Sequence, residues 1–412
     1  MGSGISSTPA QAGHGAPFCS FTTVFNNYFL PSALPDKMDT TEAEQDTHSI
    51  KRGDILLTRT SETINELGMS CVAVSDYPKA TFSGFLKRLR PTQTDISYHK
   101  FMGFYLRSPL FRKTMNNNAV MTLRCSLNEQ IFSYLDLLLP DYDQQVKVGD
   151  FLYLINEKIE LNRRINEELE GMAKLLYDYW FVQFDFPISA EQAAAMGRPD
   201  LEGKPYRQSG GKMVYNAVLK RDIPEGWEVT TLGGFSNITM GQSPPGSSYN
   251  QKRNGTIFFQ GSTDFGERFP KIREYTTAPA RLAKKGDILL SVRAPVGALN
   301  LADQDCCIGR GLAALHSKNG HDSFLIQVMF YFKQIFDRRN SSGTTFGAIT
   351  KDDLHGLVFA VPPIDSELLA EFETKTDAFR KLVLKNHLQN QQLTELRDWL
   401  LPMLMNGQVK VS

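Results

Sequence analysis

The sequence predicts an α/β protein of two similar domains in pseudo-twofold arrangement, separated by two long helices that pair antiparallel as a coiled coil. Three observations predict it. A short segment occurs twice: Lys51-Arg52-Gly53-Asp54-Ile55-Leu56-Leu57-Thr58 returns as Lys284-Lys285-Gly286-Asp287-Ile288-Leu289-Leu290-Ser291. The flanks of each copy follow the same order, so that Pro17-Phe18-Cys19-Ser20 aligns with Ile257-Phe258-Phe259-Gln260. Each copy is then followed by an apolar strand ending at a proline, Pro140 or Pro362, and by a stretch of helical spacing. Two long repeats do not make a solenoid, which stacks several short units; they make two related domains.

The elements follow in order. A first domain occupies 1–142, where apolar segments such as Ile55–Thr58 and Cys71–Val74 are broken by Gly, Pro and Asn and read as strands. A first spacer helix covers 143–185. Its seam runs Val148, Leu152, Ile155, Ile159, Asn162, Asn166, Leu169, Ala173, Leu176 and Trp180, in steps of four and three. A Gly- and Pro-rich linker, 186–227, lies over the surface, with Tyr206, Tyr215 and Trp227 as anchors. The second domain covers 228–363, and the second helix with its tail covers 364–412. That helix has the seam Leu368, Phe372, Lys375, Phe379, Leu382, Asn386, Gln389, Leu393, Leu396 and Leu400, and Pro402 stops or kinks it.

The two seams superpose: Leu152 on Phe372, Ile159 on Phe379, Asn166 on Asn386, Leu176 on Leu396. These eight are the expected helix-pairing residues, with an Asn in each seam fixing register. The alternative is that each helix packs on its own domain and both Asn residues face water. The second repeat opens with Gly226-Trp227-Glu228-Val229-Thr230-Thr231-Leu232, a strand for which the first repeat has no counterpart.

The composition is that of an ordinary globular chain of 412 residues, 41% hydrophobic and 22% charged. No apolar run reaches the ~18–20 residues of a membrane span, and no basic-then-apolar leader opens the chain. Five cysteines without a Cys-x-x-Cys pair suggest buried thiols in a reducing cytoplasm. Lys+Arg and Asp+Glu balance at 45 each, which neither supports nor excludes nucleic acid, because net charge does not report distribution.

With these features in place, the chain resembles the specificity subunits of Type I restriction–modification systems. The carriers are the paired Gly-Asp-Ile-Leu-Leu segments, Leu175-Leu176-Tyr177-Asp178-Tyr179-Trp180-Phe181, and Gly203-Lys204-Pro205-Tyr206 with Ile223-Pro224-Glu225-Gly226-Trp227. Gly309-Arg310-Gly311-Leu312 and Val361-Pro362-Pro363 add to them. The missing opening strand is the departure from the pattern. The resemblance implies two target-recognition domains, each reading one half of a bipartite sequence in double-stranded DNA. It implies helices that hold them apart and dock two methyltransferase subunits, with restriction subunits joining that core. It also implies that S-adenosylmethionine and catalysis belong to the partner chains, so that no cofactor is bound here.

The residues themselves offer no catalytic constellation. Ser243-Pro244-Pro245-Gly246 lacks the amide and the aromatic of an adenine methyltransferase motif, no phosphate-binding loop is present, and the histidines are scattered without metal spacing. Asp54 and Asp287 read as turn residues.

Base readout calls for long polar side chains on loops: Arg for guanine, Asn or Gln for adenine, Ser or Thr for either. The candidates are Thr58, Arg59, Thr60, Lys87, Arg88 and Asn117 in the first domain. In the second they are Gln260, Ser262, Ser291, Arg293, Arg310, Thr344 and Thr345. For each, an ordinary solvated loop is the competing reading. A protein-binding scaffold built around the coiled coil remains the alternative function.

Overall fold

A computed structural model describes residues 1–6, 8–61, 63, 66–93, 95–118, 125–126, 136–341 and 348–411. The chain forms two compact units, Met1–Asn162 with Leu388–Ser412, and Arg163–His387.

Each unit is built on the same four-stranded antiparallel sheet. In the first unit the order is Gly2–Ser3, Leu86–Leu89, Ile55–Thr58, Ser70–Val72. In the second it is Ser236–Met240, Leu312–Ser317, Ile288–Ser291, Leu299–Leu301. The repeated Ile-Leu-Leu run is therefore a central strand in both. Its alternate side chains enter different clusters, as expected of a strand buried on two faces. Ile55 and Leu57 join one core and Leu56 another; Ile288 and Leu290 are likewise separated from Leu289.

A second sheet in each unit contains a parallel pair. Phe18 and Cys19 lie opposite Thr81 and Phe82. Phe258 and Phe259 lie opposite Cys307 and Ile308. The second unit adds the strand Glu228–Thr231, paired antiparallel with Val358–Val361. Among the described residues of the first unit no such pair occurs.

The Gly-Asp turn that enters each central strand is a local device. Gly53 and Gly286 hold φ of 88° and 94°, which favours glycine. Asp54 then accepts from the Lys51 N–H at 2.8 Å, and Asp287 from the Lys284 N–H at 2.9 Å. Asp76 and Asp305 accept from the next N–H in each turn, both at 2.8 Å. The copies differ in what faces the carboxylate. Arg90 grips the fully buried Asp54 through Nε at 2.7 Å and Nη2 at 2.6 Å. Asp287 instead has His316 Nδ1 at 3.5 Å, and burial raises its carboxyl above the usual range.

The first long helix runs Tyr142–Tyr177, with the Asp141 side chain accepting from the Gln144 N–H at its start. It widens into a π turn, Asp178–Val182, where the Gln183 N–H donates to the Asp178 carbonyl five residues back. The second runs Glu367–Met405, so Pro402 falls in its final turns without ending it there. Within the first unit Asn162 Nδ2 donates to Gln389 Oε1 and Asn390 Oδ1, both at 2.8 Å, and Asn390 donates to the Ile159 carbonyl. Within the second unit Asn386 Nδ2 donates to Asn166 Oδ1 at 2.8 Å, and Asn166 Nδ2 lies 3.4 Å from the Val383 carbonyl. In the first unit Ile159 meets Asn390 and Asn162 meets Gln389, and in the second Asn166 meets Asn386 and Tyr177 meets Phe372, so within each unit the contacting segments run antiparallel. A buried amide left without a partner costs about 1–3 kcal/mol. Asn166 and Asn386 satisfy one another only at this alignment, which penalises a slipped register.

Leu152, Ile159, Asn166, Phe372 and Asn386 are buried, and Leu176 and Phe379 are partly so. Leu396 is 42% exposed and does not belong to the seam. The second helix buries Leu369, Phe372, Thr376, Val383, Asn386, Leu401 and Leu404. With half-buried Phe379 and Leu393 added, this row shares Phe372, Phe379, Asn386 and Leu393 with the expected one, but from Phe372 it steps by four and then three rather than three and then four. Each residue between shifts by one, Lys375 to Thr376 and Leu382 to Val383, and Leu396 turns outward.

The segment expected to lie over the surface is instead packed into the second unit's core through Phe186, Ile188, Ala193, Tyr206, Ile223 and Trp227. Phe186 stacks on Tyr206 at 4.6 Å and on Trp227 at 5.4 Å. Tyr215 is 65% exposed and anchors nothing.

Candidate nucleic-acid interface

The ends of the equivalent strands gather three loops at one edge of each unit, through the same set of backbone hydrogen bonds. In the second unit the Gln242 N–H donates to Ile308 O, Gly309 to Phe259 O, Val292 to Gly311 O and Leu312 to Gly309 O. In the first unit the Ile5 N–H donates to Phe82 O, Ser83 to Cys19 O, Arg59 to Phe85 O and Leu86 to Ser83 O. Position by position, Ile5 stands for Gln242, Ser20 for Gln260, Arg59 for Val292, Gly84 for Arg310 and Phe85 for Gly311. The approach is close enough to require glycine: a Cβ on Gly241 would lie 2.2 Å from Gly309 O, and one on Gly4 2.2 Å from Ser83 O.

Several candidates come together on this frame in the second unit. Gln260, Arg293 and Arg310 are exposed, and Ser262 is half-buried in the turn Ser262–Asp264. Asp264 accepts from the Gln260 N–H at 2.8 Å and so fixes the loop that carries the glutamine side chain. Arg310 has its N–H 3.4 Å from Ser243 Oγ, and Arg293 pairs in a bridge with Ala348. Thr344 and Thr345 lie outside the described residues.

In the first unit Arg59 is exposed and Thr60 half-buried, opposite Ser126 in a short antiparallel pair. Lys87 is half-buried with Nζ 2.6 Å from Ser3 Oγ. Asn117 is exposed but belongs to the helix Pro109–Asn118 rather than to a loop tip.

Three candidates are committed elsewhere. The Thr58 hydroxyl is fully buried, donating to Glu66 O at 3.2 Å and accepting from the Met69 N–H at 2.9 Å. Ser291 is also buried, its hydroxyl 2.8 Å from the carbonyls of both Arg293 and Pro295. Both end a central strand, where the hydroxyl pins the loop that follows instead of facing a ligand. Arg88 donates to the Ser49 carbonyl and covers the Phe82 ring at 5.4 Å, and desolvation lowers its pKa. The nearby Arg90 is likewise spent on Asp54, whose hydrogen bonds raise the arginine's pKa.

The frame adds residues absent from the candidate set: exposed Gln242 and half-buried Ser243 in the second unit, exposed Ser6 and Phe85 in the first. A signal for the first three was present, since Gly4-Ile5-Ser6 and Gly241-Gln242-Ser243 are one Gly-x-Ser pattern in equivalent places. Among the described residues no group of three His, Cys, Asp or Glu side chains is placed to hold a metal ion. The cysteines Cys19, Cys71, Cys306 and Cys307 are free and buried, and burial pushes the Cys71 thiol up to about 12.

A duplicated scaffold with variable loops is the class of architecture these features define. Residues 224–396 match the family model described as the Type I restriction modification DNA specificity domain, and this part of the chain belongs to that domain family. The likeness to Type I specificity subunits extends beyond it. The chain is 30% identical over 299 residues to the MjaX type I restriction enzyme specificity subunit of Methanocaldococcus jannaschii (an inferred assignment), a match covering 70% of this chain and 62% of that relative. It is 22% identical over 380 residues to the MjaIX specificity subunit of the same organism, covering 88% of this chain and 78% of the relative. A crystal structure of the Type I restriction–modification system S subunit from M. genitalium shares the fold, with a TM-score of 0.56 at 12% identity, over 98% of this chain and 92% of that one.

Proposed function

We propose that this chain is the DNA-recognition subunit of a Type I restriction–modification complex, each unit reading one half of a bipartite target. The observation that carries the reading is the identical loop frame furnished differently in the two units: Gln242, Gln260, Arg293 and Arg310 in one, Ser6, Arg59 and Phe85 in the other. A shared scaffold with divergent exposed side chains suits one binding geometry applied to two sequences. Phosphate contacts would position each unit, and base-edge contacts would select. The chain would act without chemistry of its own. Two methyltransferase subunits would dock on the helices and bring S-adenosylmethionine, and restriction subunits would join them in the cytoplasm. No described helix is long and apolar enough to cross a membrane. Methylation or cleavage of DNA by the purified chain alone would overturn the non-catalytic assignment.

The same reading assigns Arg310 a base. Replacing it with Ala should relax preference at one position of one half-site by about 5- to 150-fold, the ~1–3 kcal/mol of a bidentate arginine–guanine pair. Competition binding with every single-base variant measures this. A uniform loss across all positions would make Arg310 a phosphate contact instead.

The two long helices would act as the spacer. From Leu152 to Trp180 a helix covers about 40 Å at ~1.5 Å per residue, somewhat more than the ~34 Å of one B-DNA turn. Inserting four residues adds ~6 Å. The preferred gap between half-sites should then lengthen while both half-sites stay the same; an unchanged gap would contradict the spacer role.

A further inference from the structure

The loop frame of the first unit holds an apolar side chain where that of the second holds none. Phe85 sits in a turn fixed on both sides. Its N–H donates to Ser83 Oγ at 3.3 Å, its carbonyl accepts from the Arg59 N–H at 2.8 Å, and the Leu86 N–H closes onto Ser83 O at 2.9 Å. Phe85 is nevertheless 65% exposed. The residues at the two ends of the turn differ: Ser83 is buried and Leu86 is fully buried. At the equivalent Gly311 a Cβ would lie 2.8 Å from Gln260 O, so the second unit has no room for a side chain there. A rigid turn that presents a phenyl ring to solvent, next to exposed Arg59, is arranged for contact.

We propose that Phe85 is a specificity-determining residue, its ring packing against the 5-methyl group of a thymine in the half-site that the first unit reads. The inference rests on the DNA-reading function proposed above. A phenyl ring carries neither donor nor acceptor, so it cannot read the hydrogen-bonding pattern of a base edge. The one apolar group on those edges is the thymine methyl. Arg59, whose N–H is tied to the Phe85 carbonyl, is exposed, and with no side-chain partner among the described residues it can take a neighbouring phosphate or guanine. Two adjoining residues of one rigid edge would thus supply an apolar and a cationic contact.

The experiment uses the full chain in complex with its methyltransferase subunits, on a target first mapped from its methylated sites. Each thymine of the half-site is replaced in turn by deoxyuridine, which lacks only the methyl. One replacement should weaken binding about fourfold, the ~0.8 kcal/mol of one buried carbon converted at 1.4 kcal/mol per tenfold. In the Phe85→Ala variant binding should start weaker and that penalty should vanish, while Phe85→Leu restores part of it. Penalties in the other half-site should be unchanged in both variants. The inference is overturned if the penalty persists in Phe85→Ala, if no thymine of the half-site is sensitive, or if the half-site contains only G·C pairs. It is also overturned by a Phe85-dependent rise in 2-aminopurine fluorescence on binding, which marks a ring wedged between bases. Failure to map any two-part sequence would overturn the DNA-reading assignment itself, and this inference with it.

Discussion

Replacing Phe372 with alanine is expected to lower the melting temperature of the second unit by on the order of 10 °C. Phe372 is fully buried, and its ring centroid lies 5.0 Å from that of Phe181, 6.0 Å from Trp180, 6.3 Å from Phe324 and 6.4 Å from Tyr177. Three structural parts meet at this one side chain: the second long helix, the end of the first, and the helix Asp322–Ser341. Truncation of a buried Phe costs about 3–5 kcal/mol, transfer and cavity together. The surrounding rings belong to separate elements and cannot collapse as one, which favours the upper part of that range. Thermal unfolding followed by circular dichroism measures the change; a shift below about 2 °C would mean that the aromatic cluster does not hold the helices.

Arg107→Ala should destabilise the first unit by about 3 kcal/mol or more. The guanidinium donates to four carbonyls, Ser70 at 2.6 Å, Val24 at 2.7 Å, Asn27 at 2.8 Å and Phe25 at 3.0 Å. These carbonyls lie on the chain around Tyr28 and on the edge strand of the main sheet, so one side chain closes a loop onto the sheet. Burial lowers the arginine's pKa, yet a guanidinium stays charged at any ordinary pH. The Tyr28 ring is covered by Arg107 at 5.0 Å and by Arg397, from the second long helix, at 4.8 Å. Arg107→Lys keeps the charge but not the planar fork, and should recover less than half of the loss. Hydrogen exchange resolved by segment should show the opening confined to the first unit; equal opening of the Ile288–Ser291 sheet would contradict this.

How much of this was legible in the sequence depends on the range of the interaction involved. The Gly-Asp turn and its strand were legible because their causes are local, a left-handed glycine and a carboxylate bonded three residues back. The buried row of the first helix follows from its spacing. On the second helix the spacing permits two rows that share Phe372, Phe379, Asn386 and Leu393, and both offer leucines. Only the partner surface decides that Val383 turns in and Leu382 out, and sequence spacing carries no trace of it.

The candidate site divides in the same way. Thr58 and Ser291 have the composition of a reading loop, and whether a hydroxyl at a strand end faces inward depends on where Glu66, Met69 and Pro295 arrive. Arg88 was lost from the candidates for a similar reason, a carbonyl brought from Ser49, 39 residues away. The exposure of Phe85 is not legible in the sequence, where an aromatic next to Leu86 reads as core. Its exposure is set by the turn that ties Ser83 to Leu86, and the alternation of the strand begins only after that turn.

The central claim is that each unit reads its own half of one target. The most direct measurement maps the sites methylated by the complete complex, before and after residues 1–141 are exchanged for the matching domain of a relative with a different target. The account predicts a two-part sequence in which one half changes while the other half and the spacing stay the same. A single continuous sequence, or two halves both unaltered by the exchange, would contradict it.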